Sequence, residues 1–350
     1  MTSSQSPRRI LIIRLSAIGD VVMASPLIKA LRRRYPDARL SWLVEPAAAG
    51  LLRDNPDLDE VIVWPRAEWR ALWDARRYHA WWTSLRDFVR TLRDRRFDLV
   101  LDVQGLLKSA AWARLSGAPV RIGLGSREGG ALLMTRVIAR PRADARIGSE
   151  YLHLARELGL DSADFAMDIA LGAEDEAFAR ARVAETGPYA VLCPFTTRPQ
   201  KHWFEDRWAQ LAQRIQTRFG LTPVLLGGPD ARDAAARLQH NSPVLRSQVG
   251  NTTLTQSAAL IKHARCLVGV DTGLTHMGIA FNVPTIALFG STRPYLDTTH
   301  ANARVLYHRL ECSPCRRHPT CGGAYTCMRL IEVDEVADTL AILMDGGTRA

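Results

Sequence analysis

Nowhere in these 350 residues is there a run of uncharged apolar residues as long as the roughly 18 that a membrane-spanning helix needs. The most apolar early stretch, IIRLSAIGDVVMASPL, is interrupted by Arg14 and Asp20. The opening MTSSQSPRR leads straight into a strand-like run rather than a secretory apolar region, so a soluble, cytoplasmic protein is expected. The three-glycine dinucleotide fingerprint and the Walker A sequence are both missing, which counts against nicotinamide chemistry and P-loop phosphoryl transfer. No helix-turn-helix, zinc-finger or RNP-type aromatic pattern accompanies the basic charge, so no nucleic-acid partner is expected. Lysine is scarce: 42 of the 46 basic residues are arginine.

What remains is an ordinary globular composition, 47% apolar and 23% charged. The length suits two domains of roughly 150 residues each. The formal net charge of +10 is unevenly placed. Residues 1–150 hold 26 Lys and Arg against 16 Asp and Glu, whereas residues 151–350 hold 20 of each. Either a phosphate-rich or membrane-surface partner meets the first half, or an arginine-rich surface is simply solvated there.

Short β-rich runs alternate with helical stretches. RILIIRL (9–15), RLSWLVE (39–45), EVIVWP (60–65) and DLVLDVQG (98–105) read as strands buried on both faces. Helices are expected between them, one over 20–34 and the longest over 69–96. After a polar stretch at 160–188 the pattern restarts with YAVLCPF, LTPVLLGG, RCLVGVD and VPTIALFG. Helices at 205–219, 231–239 and 254–263 separate those runs. This βαβα order predicts parallel sheets with right-handed crossovers, in two Rossmann-like domains facing a cleft. A last helix at 333–343 is expected to pack back on the first domain.

Ligands of open α/β sheets bind at the carboxyl ends of strands, so the loops there carry the chemistry. In SAIGD, Asp20 is either a helix cap or a general base. In PFTTRPQKHW, the hydroxyls of Thr196 and Thr197 with Arg198 and Lys201 can meet a phosphate, or else form a solvated loop. In VDTGLTHMG, Asp271 or Thr272 can cap a helix whose free N–H groups would bind an anion. Gly273 lets the backbone approach, and His276 lies one turn in. Two such loops suit a diphosphate. No D-x-D accompanies either loop, so no catalytic divalent metal is expected. Of six cysteines, Cys312, Cys315, Cys321 and Cys327 cluster in CSPCRRHPTCGGAYTC. They are either four thiolates for a structural zinc or iron or plain loop thiols.

RILIIRLSAIGDVVMASPLIKALR, DVQGLLKSA, PFTTRPQKHW and VDTGLTHMGIA, in that order, resemble the lipopolysaccharide heptosyltransferases of glycosyltransferase family 9, which have the GT-B fold. WRALW (69–73) and SREGG (126–130) look most like the enzymes that add the first heptose. The cysteine run is more typical of other branches, including some protein heptosyltransferases. The resemblance implies an acceptor-binding domain at 1–172, a nucleotide-sugar domain at 173–330 and a C-terminal helix at 331–350. It implies Asp20 as the base of an inverting transfer. Thr196, Thr197, Lys201, Asp271, Thr272, Gly273 and His276 would surround an ADP-heptose donor. Arg66, Arg70, Lys108 and Arg127 would meet an acidic Kdo–lipid A acceptor, and catalysis would need no cofactor. The position of the family's acidic ribose contact carries Ala231, with Asp230 and Asp233 beside it. The enzyme would be held peripherally on the anionic inner face of the membrane. A protein acceptor and a non-catalytic nucleotide-sugar regulator are the alternative functions.

Overall fold

A computed structural model describes residues 6–141 and 144–346. Residues 1–5 and 142–143 of the expected first domain and 347–350 of the expected C-terminal helix lie outside the described residues. The chain divides into two compact units, Met1–Ala143 with Gly148–Ala170, and Asp144–Ile147 with Leu171–Ala350.

The first unit holds strands β1 (Arg9–Ile13), β2 (Arg39–Val44), β3 (Glu60–Val63), β4 (Leu99–Asp102), β5 (Val120–Leu124) and β6 (Arg136–Ile138). They form one sheet in the order β3-β2-β1-β4-β5-β6, every pairing parallel. The helices are α1 (Ile18–Ala24), α2 (Pro26–Arg34), α3 (Pro46–Arg53), α4 (Arg66–Asp74), α5 (Tyr78–Asp94), α6 (Leu107–Leu115) and α7 (Ser149–Glu157). Because side chains alternate across a strand, β1 feeds two cores. Ile10 and Ile12 pack with Leu27 of α2 and Leu154 of α7, while Leu11 and Ile13 pack with Trp69 of α4 and Trp112 of α6. That double burial explains the nearly unbroken apolar run.

The second unit repeats the plan with β7 (Tyr189–Cys193), β8 (Thr222–Leu225), β9 (Arg246–Ser247), β10 (Cys266–Val270), β11 (Thr285–Phe289) and β12 (Ala303–Tyr307). The order is β12-β11-β10-β7-β8-β9, again parallel throughout. Its helices are α8 (Ala173–Thr186), α9 (Glu205–Phe219), α10 (Arg232–Asn241), α11 (Leu254–Lys262), α12 (Gly273–Ala280), α13 (Thr326–Arg329) and α14 (Val333–Gly346). Among the described residues no helix is long and apolar enough to cross a membrane.

The expected α/β architecture of two parallel-sheet Rossmann-like units is what the chain adopts, with local corrections. The helix expected over 20–34 is two, because Pro26 offers no N–H to the preceding turn and the Ser25 hydroxyl bonds Val22 O at 2.8 Å instead. The one expected over 69–96 is a hairpin, α4 and α5, turning at Ala75–Arg77. The polar stretch near 160–188 contains α8, of which only Ala179 is buried. Helix α8 is held to α11 by Glu176, which pairs with Lys262 and His263 at 2.6 Å each. Helix α14 packs on the second unit, not the first. Val336, Leu340 and Leu343 enter that unit's core, and Arg214 and Arg218 of α9 pair with Asp334 and Asp338.

Candidate functional site

In each sheet the strand order reverses between two neighbours, β1 and β4 in the first unit, β7 and β10 in the second. The connections from such a pair leave toward opposite faces and open a crevice at the carboxyl ends. All three loops singled out by their chemistry, after β1, β7 and β10, lie at these switch points.

In the first unit the chain leaves β1 through Arg14 and Leu15 and enters α1. Asp20 occupies the third position of α1, where its Oδ2 accepts the Ala17 N–H at 3.3 Å and an ion pair from the Arg14 guanidinium. Asp20 is therefore not the N-cap itself, a position that Ala17 takes, but the residue three positions on that reaches back to the cap N–H, and this contact engages only one carboxylate oxygen. The Asp20 side chain keeps 34% exposure, against 7% for Arg14. Arg14 is anchored from behind. It donates to Val103 O at 3.2 Å, and its guanidinium lies over the Tyr151 ring at 6.0 Å. Burial disfavours its charge, but the fields of Tyr151, Asp20 and Glu150 overcome that and raise its pKa.

The β4 end supplies the rest of the floor. Asp102 is fully buried and accepts the Gln104 and Gly105 N–H groups at 3.1 Å each. Desolvation raises its pKa against those bonds. Gln104 Oε1 accepts the Leu15 N–H at 2.8 Å, so the β4 loop positions the β1 loop. Gly105 has φ +69°, and a Cβ there would meet Leu124 O at 2.3 Å, so only glycine permits this turn.

The basic candidates separate into groups. Arg66 and Lys108 converge on Glu45, at 3.2 and 3.4 Å, and both lie over the Trp64 ring. Arg127 is exposed on the loop whose N–H bonds Gly105 O at 2.9 Å. Arg70 does not join them; it pairs with Asp74 on the outer surface of α4 at 3.6 Å.

In the second unit the β7 and β10 loops are tied together by charge. Lys201 donates to Asp271 Oδ2 at 2.6 Å and to its backbone O at 3.1 Å. Thr292 donates to the same carboxylate at 2.7 Å, and His276 Nε2 lies 3.4 Å from its other oxygen. The far side of His276 is held by the Tyr295 hydroxyl, 2.8 Å from Nδ1. Burial alone would raise the Asp271 pKa. The His276 and Lys201 contacts instead hold it well below the usual carboxylate range. Thr272 caps α12 without using its side chain; its hydroxyl bonds no described residue, and the Gly273 and Leu274 N–H groups at the helix start have no intrahelical partner, whereas the Thr275 N–H bonds Thr272 O at 3.1 Å. The hydroxyls of Thr196 and Thr197 likewise bond no described residue, while Thr196 O accepts from or orients His202 Nε2 at 2.8 Å. Gly269 is required beneath this turn, since a Cβ would meet Thr275 Oγ1 at 2.2 Å. Ala231 ends a short turn between Asp230 and Asp233, and neither acid is paired with a described residue.

The cysteines correct an expectation. Cys312, Cys315, Cys321 and Cys327 do line one small cavity, yet among the described residues no three metal-ligating side chains are grouped to hold an ion. Cys312 is exposed and Cys327 turns into the core beside Met328 and Ile331. Cys321 receives backbone N–H groups, that of Tyr325 foremost, which lower its thiol pKa. The zinc or iron suggested by the spacing is not supported. Cys193 and Cys266 are core residues, the latter's thiol pushed up to about 12 by burial.

Arg14, Gln104, Tyr151, Glu45, Thr292 and Tyr295 join the site without being among the residues that loop chemistry points to. The one readable signal was Arg14, a charge at the end of an otherwise apolar strand. The others approach from distant parts of the chain.

The first unit thus carries a carboxylate after β1, and the second carries hydroxyl and cationic side chains on the loops after β7 and β10. Residues 85–325 match the family described as glycosyltransferase family 9 (heptosyltransferase), and the chain belongs to that family. It is 32% identical over 315 residues to the lipopolysaccharide heptosyltransferase 1 of Pseudomonas aeruginosa, covering 88% of this chain and 86% of that protein. The structure of Escherichia coli heptosyltransferase WaaC with ADP-2-deoxy-2-fluoro heptose superposes with a TM-score of 0.74 at 25% identity, covering 95% of this chain and 99% of that one. A family 9 glycosyl transferase from Veillonella parvula shares the GT-B fold at TM-score 0.79 and 20% identity, covering 96% and 97%.

Proposed function

We propose that this protein transfers heptose from ADP-heptose to the Kdo–lipid A inner core of lipopolysaccharide, with inversion, while bound peripherally to the cytoplasmic face of the inner membrane. The donor follows the relative bound to ADP-2-deoxy-2-fluoro heptose and lipopolysaccharide follows the relatives' names; Kdo–lipid A as the acceptor is what the family resemblance implies. The observation that carries the mechanism is the half-engaged state of Asp20: Arg14 and the Ala17 N–H hold Oδ2, leaving Oδ1 without a described partner on a side chain that water still reaches.

Asp20 takes the proton from an acceptor hydroxyl as that oxygen bonds to the anomeric carbon. The bond from this carbon to the diphosphate oxygen breaks on the opposite face, and its electron pair leaves with ADP. Charge grows on the diphosphate, so fixed donors there act chiefly in the transition state. Thr196, Thr197, Lys201, Thr272 and the N–H groups at Gly273 are those donors. Asp271 and His276 hold Lys201 and the heptose side of the pocket. Lys201 and the α12 N-terminus supply the positive potential, so turnover is expected to be insensitive to chelators. Arg66, Lys108 and Arg127 meet acceptor phosphates and carboxylates; Arg70, paired with Asp74 on the outer surface of α4, stands apart from them.

The test is turnover of ADP-heptose with Kdo–lipid A by the wild type and by Asp20→Asn. A loss of about 10²–10⁴-fold in kcat is expected for a general base. Retention of full rate by Asp20→Asn would remove Asp20 from the mechanism, and heptose appearing only on protein would replace the acceptor.

A further inference from the structure

The hairpin of α4 and α5 has two aromatic faces with opposite fates. Its inner face is core: Trp69 packs against Trp64, Phe88 and Trp112, and donates its indole N–H to Ser84 at 2.8 Å, cross-linking the two helices. The outer face carries Trp73, Tyr78 and Trp82 at 52%, 46% and 62% exposure. Trp81 bridges them, with ring centroids 5.3 Å from Trp73 and 4.9 Å from Trp82. A rigid, exposed cluster of large aromatics marks a contact surface.

The charge around the cluster says what it contacts. Residues 66–96 hold nine arginines against four acids. Arg76, Arg77 and Arg90 pair with no described acid, and Arg86 reaches only its neighbour Asp87, at 3.6 Å. Trp82, Arg86, Arg90 and Arg93 recur at helical spacing along one stripe of α5 and line an open groove with Leu85 and Val89. Indole and phenol rings favour the headgroup layer, where one end is apolar and the other wet. Arginines flanking such rings on a helix lying flat describe an interfacial anchor. The rings meet edge to face, at interplanar angles of 71–81°, and offer no row of parallel faces for stacked bases.

We infer that the α4–α5 hairpin is the membrane-docking element: Trp73, Tyr78 and Trp82 enter the headgroup region of an anionic bilayer and Arg76, Arg77, Arg86 and Arg90 bind its phosphates. The inference localises the membrane partner in the function proposed above, and rests on that reading only there.

The test is co-sedimentation of the full-length protein with vesicles of phosphatidylcholine, alone or with phosphatidylglycerol. Wild type should partition onto the anionic vesicles, less as salt rises, with its tryptophan emission quenched by brominated acyl chains. Trp73→Ser/Trp82→Ser and Arg86→Glu/Arg90→Glu should each lower partitioning by on the order of tenfold or more. The control Arg180→Glu/Arg182→Glu on α8 should not. All variants should keep their thermal transitions and their turnover of a water-soluble acceptor. The inference fails if wild type ignores anionic vesicles, if the hairpin variants bind like wild type, if the control loses as much, or if single-stranded RNA displaces the vesicles. Loss of turnover with the soluble acceptor in the wild type would instead sink the proposed reaction and leave the vesicle result standing.

Discussion

The two units share one strand order and one switch-point geometry, yet they solve opposite electrostatic problems. In the first, a carboxylate one-third exposed is held by one buried arginine and the Ala17 N–H, and its second oxygen bonds no described residue. In the second, Asp271 is enclosed and spends its oxygens on Lys201, Thr292 and His276, with Tyr295 closing the chain of contacts. On the proposed mechanism the difference separates two tasks. A base must exchange a proton and needs one unoccupied site; a donor cradle must not rearrange as charge appears, and a satisfied network keeps it fixed. Topology places both sets of loops, and the side chains decide which task each performs.

Substitutions should divide along that line. The largest effect belongs to Asp20→Asn, whose loss of roughly 10²–10⁴-fold should fall on kcat with the KM for ADP-heptose unchanged. Lys201→Ala follows. Removing one preorganised donor costs on the order of 3 kcal/mol in the transition state, so kcat/KM for the donor should fall about 100-fold or more. Because Asp271 is then left short of a cation, Lys201→Ala should also melt earlier. If both variants lowered kcat alone and neither touched stability, the contrast between an open base and a closed cradle would be wrong.

Acid sharpens the same contrast. The native pKa of Asp271 is depressed, so its stabilising contribution is complete above the unfolded-state value of about 3.9. It is lost as pH falls from there through the native pKa. Asp271→Asn should therefore be less stable than wild type at neutral pH, with the gap narrowing below about pH 4. Denaturant midpoints measured from pH 7 to pH 3 check this. A gap that stays constant would mean that Asp271 is not held as a carboxylate by Lys201 and His276.

Much of this was legible in the residues, for identifiable reasons. The strand runs announce themselves because parallel strands are buried on both faces, as Ile10, Leu11, Ile12 and Ile13 are. Loop chemistry at strand ends located Asp20, Lys201 and Asp271. The break at Pro26 has a local signal in proline's missing N–H, which the apolar spacing over 20–34 masks. Other features had no local signal. Helix α8 scatters its alanines among charged residues and buries only Ala179, so no apolar stripe could reveal it. That Arg14 reaches Asp20, or Tyr295 reaches His276, depends on contacts the fold makes across the chain. The cysteine spacing correctly implied proximity around one cavity, but the turn that gives Cys321 its N–H partners and the core that takes Cys327 lie outside any spacing rule.

The smallest predicted effect compares two buried tyrosines, one from each unit. Tyr295 gives His276 Nδ1 its hydrogen-bond partner at 2.8 Å. The hydroxyl of Tyr151, though fully enclosed beneath Arg14, bonds no described residue. A satisfied buried hydroxyl contributes about 1 kcal/mol, and its removal here also strands a ring nitrogen. An unsatisfied one carries its desolvation cost without return. Tyr295→Phe should lower the second unit's stability by about 1–2 kcal/mol, which at this chain length is a few degrees in Tm. Tyr151→Phe should leave the Tm unchanged or slightly higher, because the ring still faces the Arg14 guanidinium. Paired thermal melts read the sign directly. A loss at Tyr151 equal to that at Tyr295 would mean that its hydroxyl has found a partner, such as a bound water, and that the floor under Asp20 is as closed as the cradle around Asp271.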